Sequence, residues 1–343
     1  MSKGVVLVVG CSGFVGSHVT KALLQRGFSV RGACRIPGQT RAKFENSWPL
    51  TPNQIVELVE FSLPLDGSAA PEETLDKLVE DVVGVFMCVG HEKQEPATID
   101  FMVNAALSVL KAVKKRKSKI PVVLTSSTGS TNLPEAAAGA LKNEAEFWSD
   151  PAKQKSAGKF SPAAKTLMEI KALEFVGRNK HNQVVNEETA SSSPRLCIIN
   201  PSLILGARLD PGELKGNGLP WFARIVKGEA MTKEIPNDSM SIISVSDLAL
   251  LHVACLEDES ASGRYFGVVQ SWNWEEILNA VKKQVPDYQL PTKSFTESNP
   301  VTQFDNSRRD ALLKNAYGED FKLKHLDLIL EETISYLKKS GNL

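Results

Sequence analysis

Glycines at positions 10, 13 and 16 carry the first chemistry in the chain. They lie in Gly10-Cys11-Ser12-Gly13-Phe14-Val15-Gly16, directly after the apolar run Val5-Val6-Leu7-Val8-Val9. That run reads as a strand buried on both faces. Phe14, Val15, Val19, Ala22, Leu23 and Leu24 then mark one stripe of a helix that Gly27 stops. Strand, glycine turn and helix in this order cradle a pyrophosphate. Glycines permit the tight turn and the close approach of backbone to phosphate, and the helix start leaves N–H groups for the anion. Gly10, Ser12, Gly13, Phe14, Val15 and Gly16 are therefore expected to hold a dinucleotide across the first strand.

The second strand, Phe28-Ser29-Val30-Arg31-Gly32-Ala33-Cys34, closes on Arg35. An acid there would bond the ribose hydroxyls of NAD. Arg35, with Arg41 and Lys43 soon after, instead suits a 2′-phosphate. The expected cofactor is NADP(H).

Strand patterns at Ile55–Phe61, Val82–Val89, Val122–Ser127 and Arg195–Asn200 alternate with helical patterns at Pro71–Asp81, Pro96–Lys117 and Pro162–Asn179. Residues 128–160 read as an irregular polar loop, and 180–194 as another loop. The alternation predicts an α/β fold, a Rossmann-type doubly wound parallel sheet. After Pro201 it fades into helices at Leu219–Lys227, Ser246–Glu257, Trp274–Gln284, Ser307–Asn315 and Leu326–Lys339. The expected division is a nucleotide-binding domain over 1–201. A smaller mixed substrate lobe takes most of 202–343, with some segments returning to the first domain.

Forty basic and forty acidic residues cancel in a chain of 343. The Lys111, Lys114, Lys115, Arg116, Lys117 and Lys119 cluster falls at a helix C-terminus, where cations suit the dipole, so no nucleic-acid partner is expected. Cys11, Cys34, Cys88, Cys197 and Cys255 have no paired spacing and read as reduced, buried thiols, with no metal site. Met1-Ser2-Lys3 leads straight into the first strand, and no apolar stretch is long enough to span a bilayer. The expectation is a cytoplasmic protein with no membrane partner, either monomer or homodimer, acting on a small molecule.

In such sheets ligands bind beyond the carboxyl ends of the strands. That rule selects Gly10–Gly16, Arg35, the surroundings of Ser62, Val89-Gly90-His91, Ser126-Ser127 and Asn200-Pro201-Ser202. These segments also carry a family resemblance. Leu124-Thr125-Ser126-Ser127-Thr128-Gly129-Ser130-Thr131-Asn132, Trp148-Ser149-Asp150, Lys165-Thr166-Leu167-Met168-Glu169, Asn200-Pro201-Ser202-Leu203-Ile204-Leu205-Gly206, Val245-Ser246-Asp247-Leu248-Ala249 and Gly263-Arg264-Tyr265 join the glycine turn and the arginine-ended second strand. Together they resemble the extended short-chain dehydrogenase/reductases, most of all the dihydroflavonol and cinnamoyl-CoA reductase type.

The resemblance implies a serine, a tyrosine and a lysine in catalysis, the last two four residues apart on one helix. It assigns the serine to Ser127 and the lysine to Lys165, which also holds the nicotinamide ribose. The tyrosine position holds Ser161, and the only tyrosines are Tyr265, Tyr288, Tyr317 and Tyr336. It also implies cofactor contacts at Val89, Pro201 and Ser202. Ser62 stands where relatives place an aspartate near the adenine, and Asn132 and Trp221 fall on the substrate side. Without the phenol, a water between Ser161 and Lys165, or His91, is left to donate the proton. Reduction of a conjugated C=C, whose enolate Ser127 and Lys165 would stabilise, is the other route. The expected function is NADP(H)-dependent reduction of a ketone, aldehyde or conjugated alkene in a small aromatic or hydrophobic molecule. The alternatives are an NADP-binding scaffold without turnover and redox-neutral, epimerase- or cyclase-like chemistry.

Overall fold

Runs of β-branched and aliphatic residues, too apolar to face water on either side, pair in parallel and are covered by helices on both faces. The computed structural model describes residues 2–48, 51, 54, 56–91, 93–116, 119–209, 214–216 and 218–343. The expected start of the third strand at Ile55 and the expected end of the long helix at Lys117 lie outside them. In chain order the strands are β1 (Val5–Val9), β2 (Ser29–Cys34), β3 (Val56–Glu60), β4 (Val82–Met87), β5 (Pro121–Thr125), β6 (Leu141–Lys142), β7 (Arg195–Pro201), β8 (Leu203–Leu205), β9 (Ser239–Ser244), β10 (Gly263–Gly267), β11 (Gln270–Asn273) and β12 (Gln303–Phe304). The helices are α1 (Phe14–Gln25), α2 (Pro37–Ser47), α3 (Glu72–Leu78), α4 (Ala97–Lys115), α5 (Pro151–Ser156), α6 (Phe160–Phe175), α7 (Glu187–Ser192), α8 (Gly218–Val226), α9 (Val245–Glu257), α10 (Trp274–Gln284), α11 (Ser307–Tyr317) and α12 (Leu326–Lys339).

Seven strands form one sheet in the order β10-β7-β5-β4-β1-β2-β3. Every pairing in it is parallel. The order reverses between β1 and β4, which opens a crevice at their carboxyl ends. Helices α3, α4 and α6 cover one face, where Ala105, Val109 and Val113 of α4 share a core with Ala164, Met168 and Ala172 of α6. The other face is covered by α1, α9 and α11, through Val19, Leu23, Leu248, Leu251, Leu312 and Leu313. Helices α9 and α11, expected in the smaller lobe, thus lie on the large sheet. A three-stranded sheet, β11-β9-β8, packs with α8, α10 and α12 around Phe222, Trp274, Ile277 and Leu330.

Several local expectations are corrected. Pro37-Gly38, which reads in the sequence as the start of a turn, opens an eleven-residue helix, α2, with proline at its first position. Helix α6 begins at Phe160, two residues ahead of Pro162. The 180–194 loop contains α7, whose Asn186 side chain accepts from Thr189 N. Strands β9 and β11 do not show in the sequence, because the serines in Ser239-Met240-Ser241-Ile242-Ile243-Ser244 mask the central strand of the small sheet. Among the described residues no helix is long and apolar enough to cross a membrane.

Two histidines are buried in this core as neutral rings. His18 Nε2 donates to Ala207 O at 2.9 Å, and desolvation pulls its pKa down to about 4. His252 Nδ1 donates to Leu248 O at 2.8 Å, so its Nε2 accepts from Thr125 Oγ1, also at 2.8 Å. Desolvation lowers His252 to about 4 as well. From about pH 6.5 down to about 4 the unfolded chain binds protons that the native one excludes. Stability is therefore expected to fall as pH drops through this window, by up to about 1.4 kcal/mol per pH unit for each histidine. Urea unfolding across the range measures it, and His252→Gln should flatten the slope by about one proton.

Candidate functional site

The glycine turn has the shape its sequence demands. Gly10 takes φ +84°, and Gly13 N donates to Gly10 O at 3.0 Å. A Cβ at Gly16 would lie 2.1 Å from Gly10 O, so the helix start presses directly on the turn. A Cβ at Gly10 would meet Cys88 O and Val89 Cγ1, both at 3.0 Å, so Val89 lies against the turn. Gly13 caps α1 with no side-chain bond and no acid follows in the first turn. The N–H groups of Phe14, Val15 and Gly16 thus face no competing anion of their own helix. These residues fit a pyrophosphate.

Arg35 is exposed just past β2. Among the described residues nothing bonds or pairs with its guanidinium. Ile36, beside it, is 53% exposed, an unspent apolar surface for a flat base that sequence reasoning did not single out. Lys43 is exposed on α2, whose buried residues are Thr40 and Phe44. Arg41 instead turns back to donate to Val56 O at 3.3 Å. Ser62 is exposed beyond β3, its hydroxyl 3.4 Å from Leu63 O. Pro201 ends β7, and Ser202 Oγ follows, 4.0 Å from Met240 Sδ.

Lys165 reaches the end of β5, and Ser127 follows two residues after that strand's last residue, Thr125. Lys165 Nζ donates to Thr125 O at 2.7 Å, and desolvation lowers its pKa to about 8. Ser127 caps the 3₁₀ turn Thr128–Ser130, its Oγ accepting from Gly129 N at 3.1 Å. Ser161 lies one helical turn before Lys165, in the first turn of α6, and its N–H donates to Gln94 Oε1 at 3.1 Å. That bond ties the segment after β4 to the helix start. His91, in the same segment, has Nδ1 3.1 Å from Thr98 Oγ1 and its ring 5.1 Å from Phe101. The Thr98 hydroxyl donates to Lys93 O at 2.8 Å. The single hydroxyl hydrogen is therefore used, so His91 Nδ1 carries the hydrogen that faces Thr98 Oγ1 and Lys93 O, the latter 3.3 Å away.

Beneath these groups lies a buried polar network that the separate motifs did not reveal. Glu169, fully buried on α6, accepts from Ser126 Oγ, from Asn200 Nδ2 at 2.7 Å and from Ser130 Oγ at 2.5 Å. Arg264 Nε lies 2.9 Å from its second carboxylate oxygen. The guanidinium also donates to Glu144 O at 2.8 Å, Phe147 O at 2.9 Å and Ser130 O at 3.2 Å, and its centre lies 3.8 Å over the Trp148 ring. Asn200 Nδ2 reaches Ser127 O at 3.1 Å. The network fixes the turn that carries Ser127. The available signal was charge in the wrong place: Glu169 on an apolar helix face and Arg264 inside an apolar strand.

Asn132 follows the same turn, its N–H donating to Ser149 Oγ at 2.8 Å and its Oδ1 accepting from Lys142 Nζ at 2.6 Å. Trp221 packs edge-on against Trp274, with centroids 5.6 Å apart, on the α8–α10 side.

Comparison with known proteins agrees with this geometry. Residues 6–150 match the NAD dependent epimerase/dehydratase family. The chain is similar to cinnamoyl-CoA reductase 2 of Arabidopsis thaliana, 30% identical over 300 residues, covering 86% of this chain and 82% of that one. It is 27% identical over 346 residues to cinnamoyl-CoA reductase 2 of Medicago truncatula, covering 98% and 92%. Among solved structures, yeast methylglyoxal/isovaleraldehyde reductase complexed with NADPH superposes with a TM-score of 0.75 at 22% identity, over 99% of this chain and 100% of that one.

Removing one partner of the buried pair leaves the other charge without compensation. Arg264→Met is expected to lower stability by roughly 3–5 kcal/mol, and the Arg264→Met/Glu169→Leu double variant to recover part of that loss. Urea midpoints of the three proteins measure both effects.

Proposed function

The chain belongs to the extended short-chain dehydrogenase/reductases, within the NAD dependent epimerase/dehydratase family, and on that premise we propose that it is an NADPH-dependent reductase. Its substrate is a ketone, aldehyde or conjugated alkene in a small, flat, largely apolar molecule. The glycine cradle, with Val89, Pro201 and Ser202 along its rim, holds the dinucleotide. Arg35, assisted by Lys43, takes the 2′-phosphate, and Ser62 lies toward the adenine. Residues 1–201, with β10, α9 and α11 returning from the C-terminal part, form the nucleotide-binding domain, and most of the rest of 202–343 forms the substrate lobe, to which Trp221 contributes. The relatives named above are themselves reductases of acyl-CoA or aldehyde substrates.

One observation carries the reading: an ammonium with its pKa lowered to about 8 is pinned to the end of β5, two residues from Ser127. When bound, the reduced nicotinamide supplies a hydride. Ser127 Oγ already accepts from Gly129 N, so its own hydrogen is free for the substrate oxygen. Of the three Lys165 hydrogens one goes to Thr125 O. Two remain, for the ribose hydroxyls and for a proton path. At neutral pH this lysine is still protonated, close to the match that general acid catalysis favours. Ser161, on the same helix face, relays the proton through its hydroxyl or a water. A lysine acid replaces the tyrosine, and His91 is not needed as donor.

The test follows NADPH consumption with separate panels of aromatic aldehydes, ketones and enones. Turnover by at least one panel is expected, with NADH slower by about tenfold or more for want of the charge-assisted bonds to Arg35. Tight NADPH binding with no consumption by any panel overturns the reading. Lys165→Met should lower kcat by roughly 10²–10⁴-fold. In the wild type, kcat should fall as pH rises through the lysine pKa near 8, since the acid form is the active one.

A further inference from the structure

Lys142 is a cation whose surroundings ask for a ligand. It sits on β6, which pairs in parallel with β12 so that Lys142 faces Phe304 in register. Its Nζ lies 5.6 Å over the Phe304 ring, and that ring is anchored edge-on against buried Phe266 at 4.8 Å. The ammonium donates to Asn132 Oδ1 at 2.6 Å. Among the described residues no carboxylate pairs with it. Desolvation alone lowers its pKa to about 8, and no neighbouring charge offsets that burial. An ammonium carries three donors, so two remain beyond the Asn132 bond. A half-buried cation with an amide oxygen and a ring face, but no anion, is incompletely compensated.

Beside it is a cavity of about 170 Å³. Asn132, Phe147, Lys142 and Thr302 contribute to its wall, and the rest is largely the small side chains of 136–140. The volume is of the order of the ~150 Å³ that accommodates a benzene ring in an engineered apolar cavity. The cavity is tied to the catalytic turn. Asn132 N donates to Ser149 Oγ, which in turn donates to Gly129 O at 2.8 Å. Asn132 is five residues after Ser127, so their separation is at most about 18 Å. A flat molecule with its reactive carbonyl at Ser127 can therefore extend toward Lys142.

We propose that this cavity is a subsite for a carboxylate at the far end of the substrate, with Lys142 as its counter-ion and Asn132 as the group that aims the ammonium. The substrate class is then an aromatic oxo-acid rather than a neutral aromatic carbonyl. This rests on the reductase reading for the carbonyl end only; recognition of the carboxylate stands on the cavity and Lys142 alone.

The experiment uses the full chain saturated with NADP⁺, which cannot reduce a carbonyl. Calorimetry compares 4-formylbenzoate and 4-formylcinnamate with their methyl esters, and the same four compounds are then assayed for NADPH consumption. At least one acid is expected to bind about tenfold or more tightly than its ester, the loss that removal of a charge-assisted bond produces. In Lys142→Met the acid-to-ester ratio should collapse toward one, and Lys142→Arg should restore most of it. Retained NADP⁺ binding shows that each variant is folded. Acid preference that depends on Lys142 supports the subsite even if no NADPH is consumed, a result that would count against the reductase alone. Turnover without acid preference, or a preference that survives Lys142→Met, overturns the subsite and leaves the reductase standing.

Discussion

The contact between Glu169 and Arg264 sets the terms for everything around it. Two opposite charges are held at 2.9 Å, with side chains 0% and 3% exposed. Such burial costs less when neighbouring donors and acceptors are used. The requirement draws in Ser126, Ser130 and Asn200 on the carboxylate side, and the carbonyls of Glu144, Phe147 and Ser130 on the guanidinium side. The backbone from 126 to 130 consequently has one arrangement available to it. Ser127 inherits its direction from a pair it does not touch. A polar network in this role gives geometry more than it gives net stability.

The sheet was legible because its strands are short apolar runs and its helices carry stripes of 3.6 periodicity. The glycine cradle was legible for a different reason: no other residue fits where a Cβ would stand 2.1 Å from a carbonyl oxygen. Helix α2 was not, since only Thr40 and Phe44 turn inward and the remainder is polar. Two-residue strands such as β6 and β12 leave no pattern at all, and neither does a cavity built from a run of alanines. Glu169, Asn200 and Arg264 were each inside a motif read from the chain, in three segments treated separately. That they form one cluster is a tertiary fact, and spacing along the chain cannot express it.

Ser161, standing where the family resemblance implies a tyrosine, has a physical counterpart in Lys165 of the same helix. A phenol would bring a reference pKa of about 10, and a serine hydroxyl is a far weaker acid. What the site retains is an ammonium whose own acidity has been raised by burial. Its anchor, Thr125, bonds on one side to the lysine through its carbonyl and on the other to neutral His252 through its hydroxyl. No charge on that histidine opposes the ammonium, which keeps desolvation as the dominant influence on it.

Ser130 and Arg264 are 134 positions apart. During synthesis the cofactor cradle leaves the ribosome early, and the segment that supplies Arg264 leaves much later. Until then Glu169 lacks its counter-ion and is better turned to water than to an apolar interior. The nucleotide half can collapse with its cradle formed while the turn bearing Ser127 is still unshaped. Completion of the active centre is thereby a late event in folding, coupled to docking of the last strand of the sheet. A chain cut short before β10 would lose Arg264 and leave Glu169 without its counter-ion.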